Sequence, residues 1–332
     1  MKPIESSALI GLGALGILFG WPMQNHTPAG RFCVIADAPR IARYQAEPAL
    51  FNGERCDFRY CTPEQGAPAD LVLVAVKATA LEAAARQIRP FVGPDTVIIS
   101  VLNGITSEET LERLYPGRLL WSVALGMDAT RTGRTLAFKN PGLIQLGERD
   151  GSITPRLQAA ADYLAGCGIR VEVCTDILYK QWHKLMMNDG LNQAAAVYGL
   201  TYGGLRSPGP AQDAMMQAMH EVVTLAGQEG VPLPADAPET WLREMMPAFA
   251  ADAMPSMRQD VLARRPTEVE QFAGVICRLG KKHGVPTPVN DFFYARIREI
   301  EAGWAQQGHV RLGTAGPRPL TVPPLCAILY NC

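Results

Sequence analysis

The six residues Gly11-Leu12-Gly13-Ala14-Leu15-Gly16 have the spacing of a turn that could hold a phosphate against bare backbone. Gly11 suits a tight turn, Gly13 leaves room beside the chain, and Gly16 lets a following helix approach the preceding strand. The start of that helix would offer N–H groups and a positive dipole end to a pyrophosphate. Glycine-rich apolar segments also occur in leader sequences, so the spacing alone leaves two readings. Asp37, about 20 residues beyond Gly16, stands where a carboxylate would accept hydrogen bonds from a ribose hydroxyl. That offset favours a dinucleotide.

A second set lies at Lys184, Asn188 and Asn192, which recur four apart and so share one helical stripe. The stripe either faces solvent or faces a cleft. Asparagine is a poor helix former, and solvent faces use Glu, Lys or Arg more often, which favours the cleft. His183 would point away from Lys184 by about 100° and reads as structural. Glu268, after Thr267 and Pro266, is either a first-turn carboxylate serving a helix dipole or the partner of Lys184. Lys77 and Asn103 each end an apolar run, positions that would bring them to a cofactor crevice at the carboxyl ends of strands.

The elements that must position these residues follow from hydrophobic patterning. Short apolar runs at 8–10, 31–36, 71–76, 96–102, 119–125 and 170–174 read as strands, with helical patterns such as 81–91 between them. Strands alternating with helices imply a parallel sheet covered on both faces, a Rossmann-type domain over residues 1–175. Pro22 and Pro28 predict that the helix after the glycine turn is short or broken. Beyond 175 the strands give way to helical patterns at 178–200, 209–229, 238–252, 258–283 and 288–304, an all-helical second domain over 176–311. The segment 312–332 reads as an irregular tail.

Composition narrows the class of function. The chain has 332 residues, 48% hydrophobic and 19% charged, with 31 Lys+Arg against 32 Asp+Glu and a net charge of −1. It can bury a large core, and its charge gives no reason to expect nucleic acid as partner. The apolar stretch from Ser6 is rich in glycine and is interrupted by Pro22 before reaching the length of a membrane span, so no membrane partner is expected. Eight scattered cysteines without a Cys-x-x-Cys pair predict free thiols, a cytoplasmic location and no metal site. A homodimer is a possible assembly.

Taken in order, Gly11-Leu12-Gly13-Ala14-Leu15-Gly16, Lys77, Leu102-Asn103-Gly104, the run Trp182 to Asn192, Pro255-Ser256-Met257-Arg258-Gln259-Asp260 and Thr267-Glu268-Val269-Glu270 resemble the ketopantoate reductases (2-dehydropantoate 2-reductases). The resemblance spans residues 6–305, and the Lys-Asn-Asn stripe with Ser-Met-x-x-Asp and Thr-Glu is more specific than the glycine turn. It implies an α/β fold, an N-terminal Rossmann domain joined to a C-terminal helical domain. It also implies NADPH-dependent reduction of 2-dehydropantoate to (R)-pantoate on the route to pantothenate and coenzyme A. Lys184 would be the general acid, and Glu268 would support substrate and lysine. Asn188, Asn192 and Ser256 would bind the substrate, Asn103 would lie between cofactor and substrate, and Lys77 would approach the cofactor. The family's NADPH users commonly carry a basic residue near Asp37, so NADH is the alternative cofactor, with Arg40 and Arg43 near enough in sequence to hold a 2′-phosphate. Two other functions stay open: a reductase of another 2-oxoacid or an opine-type dehydrogenase, and a non-catalytic NADP(H)-binding sensor.

Overall fold

The computed structural model describes residues 3–307, and the proposed tail at 312–332 lies outside them. The chain divides into two units, Met1–Gln181 and Trp182–Cys332. The first is built on a sheet in the order β12-β11-β8-β7-β6-β1-β2-β5. These strands are β1 (Ser7–Ile10), β2 (Phe32–Ile35), β5 (Tyr60–Cys61), β6 (Ala69–Val74), β7 (Val92–Ser100), β8 (Leu119–Met127), β11 (Pro141–Gly147) and β12 (Val171–Val173). From β5 to β8 all neighbours are parallel, and β11 then pairs antiparallel with β8. Read outward from β1, the parallel part has the doubly wound order of a dinucleotide-binding sheet. A separate sheet, β4-β3-β10-β9, is formed by β3 (Leu50–Phe51), β4 (Glu54–Arg55), β9 (Thr130–Thr132) and β10 (Thr135–Ala137).

The central strands alternate their side chains between two apolar cores, as a period of two requires. Leu9, Leu71, Leu73, Val97 and Ile99 pack with Ile17, Leu18 and Phe19 of α1 (Ala14–His26) and with Leu157 and Leu164 of α5 (Pro155–Gly166). Ala8, Ile10, Val72, Val74 and Ile98 pack on the other face, with Leu81 of α3 (Leu81–Gln87) and Leu111 of α4 (Thr106–Leu114). Both faces are therefore apolar. The remaining helix of this sheet, α2 (Ala38–Ala46), follows β2 and starts at Asp37.

Three expectations are corrected here. The helix after the glycine turn is neither short nor broken: α1 runs thirteen residues through Pro22. Its last turn is held from outside, because Met23 is fully buried and Gln24 donates to the Asp57 carbonyl at 2.8 Å and accepts from Arg59 N at 2.6 Å. The pattern at 258–283 is not one helix but α10 (Ser256–Leu262) and α11 (Ala273–His283). Arg264 takes a left-handed conformation with φ 51°, Arg265 N donates back to the Asp260 carbonyl, and Pro266 follows, which together end α10. The helix expected at 238–252 stops early as well, with α9 (Ala237–Glu244) followed by a short 3₁₀ turn.

The second unit starts inside a long helix, α6 (Ile177–Tyr198), and continues with α7 (Tyr202–Arg206), α8 (Pro210–Gln228), α9, α10, α11 and α12 (Pro288–Gln307). A buried polar network joins four of these. Gln193 on α6 donates to Asp189 Oδ1 at 3.0 Å and to Asn290 Oδ1 at 3.2 Å, and accepts from Ala273 N on α11. Asn290 on α12 donates its side-chain N–H to Glu221 of α8 at 2.8 Å, and the Val289 and Asn290 backbone N–H groups also point at that carboxylate. Burial pushes Asp189 well above the usual carboxylate range, with Glu221 raising it further. Burial likewise pushes Glu221 up to about 7, against three hydrogen bonds that lower it.

Two predictions follow from this packing. A Cβ on Gly16 would sit 1.8 Å from the Gly11 carbonyl oxygen, whereas one on Gly13 would meet nothing closer than 3.9 Å. Gly16→Ala should therefore destabilise by about 3 kcal/mol or more, at the upper end of overpacking costs, and Gly13→Ala should leave the melting temperature near wild type. The second concerns pH. Glu221 has a raised folded pKa, so its contribution is fully present below the ordinary value of 4.5 and is lost as pH rises through about 7. Across that window the stability of wild type relative to Glu221→Gln should fall by about 3 kcal/mol, measured by denaturant unfolding at a series of pH values.

Candidate active site

The glycine turn connects β1 to α1, and Gly11 has φ 98°, a conformation that a side chain would strain. Its Cβ would also lie 2.5 Å from the Ala75 carbonyl. Gly11 and Gly16 are thus required by the protein's own packing. Gly13 is not, since the space its missing side chain leaves is open. That vacancy at the start of α1 is what a pyrophosphate needs, so the turn fits a dinucleotide on its own geometry.

Beside the turn lies a cleft of about 100 Å³ whose lining includes Gly11, Leu12, Asp37, Arg40 and Tyr44. Asp37 caps α2, its Oδ1 accepting from Arg40 N at 2.8 Å, while its Oδ2 lies 3.7 Å from the Arg40 guanidinium. The two side chains are about half exposed, at 44% and 53%. The cleft therefore carries one carboxylate and one guanidinium side by side. Ala14 and Leu15 form the first turn of α1. Lys77, exposed, precedes the short 3₁₀ turn Ala78–Ala80 beyond β6, and Asn103, partly buried, follows β7 just before Gly104 at φ 89°.

Lys184, Asn188 and Asn192 all lie on α6, so the predicted stripe exists. The solvent-facing reading fails for its two amides, which are only 8% and 4% exposed. Their orientation is set by a backbone donor. Met257 N–H in α10 requires an acceptor and takes Asn192 Oδ1 at 3.3 Å, which Ser256 Oγ also donates to at 3.2 Å. Asn192 Nδ2 is thereby turned toward Asn188 and donates to its Oδ1 at 3.1 Å. Asn188 is left to present its own N–H groups. The structure thus brings Asn188, Asn192 and Ser256 into one hydrogen-bonded set, from segments 64 residues apart.

Lys184 stands one turn before Asn188 and is partly buried. Glu268, also partly buried, does not begin an α-helix as one sequence reading had it. It precedes only the 3₁₀ turn Val269–Gln271, so a full helix dipole does not account for it. Thr267 beside it is anchored by Glu301 of α12, which accepts from its N–H and its hydroxyl at 2.8 and 2.7 Å.

The sequence reading missed Arg131 of β9, whose Nη1 donates to the Leu12 carbonyl inside the glycine turn. It also missed the buried Asp189 and the partly buried Glu221. The six described cysteines are free thiols, as expected. Among the described residues no helix is long and apolar enough to cross a membrane, and no group of three His, Cys, Asp or Glu is placed to hold a metal.

Known proteins resemble the chain over most of its length. A 2-dehydropantoate 2-reductase from Vibrio cholerae is 27% identical over 299 residues, 90% of this chain and 98% of that protein. The crystal structure of a PanE/ApbA family ketopantoate reductase from Ralstonia eutropha superposes with a TM-score of 0.77 at 24% identity, covering 92% of this chain and all of the other. D-mandelate dehydrogenase, solved with NADH and anilino(oxo)acetate, gives the same TM-score at 24% identity over 90% of this chain and 99% of that one. The family model Ketopantoate reductase PanE/ApbA matches residues 7–151, and its counterpart Ketopantoate reductase PanE/ApbA C terminal matches 176–301. With both halves matched in order, the chain belongs to the ketopantoate reductase PanE/ApbA family and is an NAD(P)-dependent oxidoreductase.

Proposed function

We propose that this protein reduces the ketone of 2-dehydropantoate to the secondary alcohol of (R)-pantoate, with NADPH as hydride source, on the route to pantothenate and coenzyme A. The observation that carries the reading is the amide pair on α6. Asn188 and Asn192 are oriented by the Met257 N–H so that Asn188 presents donors one turn from Lys184. Donors beside a cation suit a substrate with a carboxylate and a neighbouring carbonyl.

Bound NADPH supplies a hydride to C2 of the oxoacid. Gly11 to Gly16 would hold its pyrophosphate, Asp37 and Arg40 its adenosine ribose, and Lys77 and Asn103 the cofactor's further contacts. As the C2–H bond forms, the carbonyl oxygen gains negative charge. The Lys184 ammonium stabilises that charge and gives up a proton to it, leaving a neutral amine and an alcohol. Glu268 supports the lysine and the substrate, while Asn188, Asn192 and Ser256 hold the carboxylate and hydroxyl. Arg40 beside Asp37 supports NADPH by offsetting the carboxylate at the ribose.

A second reading is a reductase of another 2-oxoacid that uses NADH. Asp37 in the cleft supports it, since a carboxylate suits a free ribose hydroxyl, and so does the likeness to D-mandelate dehydrogenase bound to NADH. Steady-state assays with 2-dehydropantoate and each cofactor distinguish the two: NADPH oxidation with formation of (R)-pantoate is expected. Turnover of only a different 2-oxoacid would overturn the first reading. Lys184→Ala should lower kcat by about 10²–10⁴ while NADPH still binds, and near-normal turnover would remove the lysine from the proton transfer.

A further inference from the structure

Arg131 belongs to β9 in the small sheet, outside the parallel strands and helices that build the cleft. Its guanidinium nevertheless reaches the glycine turn. Nη1 donates to the carbonyl of Leu12, the residue between Gly11 and Gly13, and Nε donates to the Gly133 carbonyl at 2.9 Å. Nη2 makes no hydrogen bond among the described residues. Arg43 and Tyr44 of α2 act on the guanidinium electrostatically, and Arg43 itself rests over the Tyr44 ring, 5.4 Å from its centroid.

A guanidinium therefore touches the backbone of a phosphate-type turn. Among the described residues Arg131 has no carboxylate at ion-pair distance, and Asp37, the carboxylate of the cleft, is engaged by Arg40. Although Arg131 is exposed as a residue, desolvation lowers its pKa, with Tyr44 opposing that effect and Arg43 adding to it. A guanidinium held at the glycine turn, with Nη2 unspent and no carboxylate beside it among the described residues, is arranged for an anion that the chain itself does not provide.

We propose that Arg131 binds a phosphate of the dinucleotide, so that the small sheet contributes a recognition residue to the cofactor site. The proposal rests on the reading of the glycine turn as a dinucleotide site. Two phosphates could be the ligand, the pyrophosphate shared by both cofactors or the 2′-phosphate that only NADPH carries.

Titration calorimetry of wild type, Arg131→Leu and Arg131→Lys with NADPH and with NADH, at several salt concentrations, tests it without relying on turnover. The leucine variant should lose affinity by about tenfold or more and should show a shallower salt dependence than wild type. The lysine variant, which keeps the charge, should retain most of the salt dependence. Loss toward both cofactors identifies the pyrophosphate, and loss toward NADPH alone identifies the 2′-phosphate. Unchanged affinity for both in Arg131→Leu, or weakening with a wild-type salt dependence, would overturn the proposal and leave Arg131 as a brace for Leu12. A wild type that binds neither cofactor would instead overturn the reading on which it rests.

Discussion

Everything in the first unit depends on how closely α1 approaches the turn that precedes it. Gly16 faces the Gly11 carbonyl with no room for a single methyl group between them. This contact sets the start of α1 directly above the end of β1. Because β1 is the middle of the parallel strands, with β2 on one side and β6 on the other, the same contact fixes the helix against the sheet. The open space at Gly13 is its by-product: the backbone is drawn tight at two glycines and left bare at the third. Apolar packing on both faces of the sheet then holds a geometry that local propensity alone, in a helix that contains Gly16, Gly20 and Pro22, would not maintain.

In the second unit the organising element is polar. A helical domain can pack on apolar contacts alone, yet this one places Asp189, Gln193 and Asn290 in its interior, with the partly buried Glu221 bonded to Asn290. Each bond of that network crosses between helices or along α6, so the network limits how α6 can rotate or slide against α8, α11 and α12. The amides on α6 then face a defined direction. Removing one member would leave the others buried without partners, which is costlier than never having built the network.

Much of this was legible from residue types. The strands at Ala8 to Ile10 and Leu71 to Val74 are continuous apolar runs, and Leu119 to Leu125 is broken only by Ser122; strands buried on both faces read that way. The lysine and two asparagines at intervals of four were visible as a stripe because helical geometry turns spacing into a shared face. The small sheet was not visible. Its strands are two or three residues long and largely exposed, so they carry no apolar period. Arg131 was hidden with them, since its importance comes from a contact with Leu12 that lies 119 residues away. Pro22 misled for a related reason: its effect on a helix was judged locally, whereas the turn that contains it is secured by Asp57 and Arg59 from another segment.

The orientation of the asparagine pair has a consequence for how the family can diversify. An amide side chain presents either a donor or an acceptor depending on a half-turn of its end, and in most sites that choice is negotiable. Here it descends from a peptide N–H in α10, which can neither ionise nor be mutated away except by proline. Polarity is therefore inherited from the main chain. Under the proposed function, substrate preference can drift through the side chains around it, but any accepted molecule would have to offer an acceptor to Asn188, at every pH at which the helices remain folded.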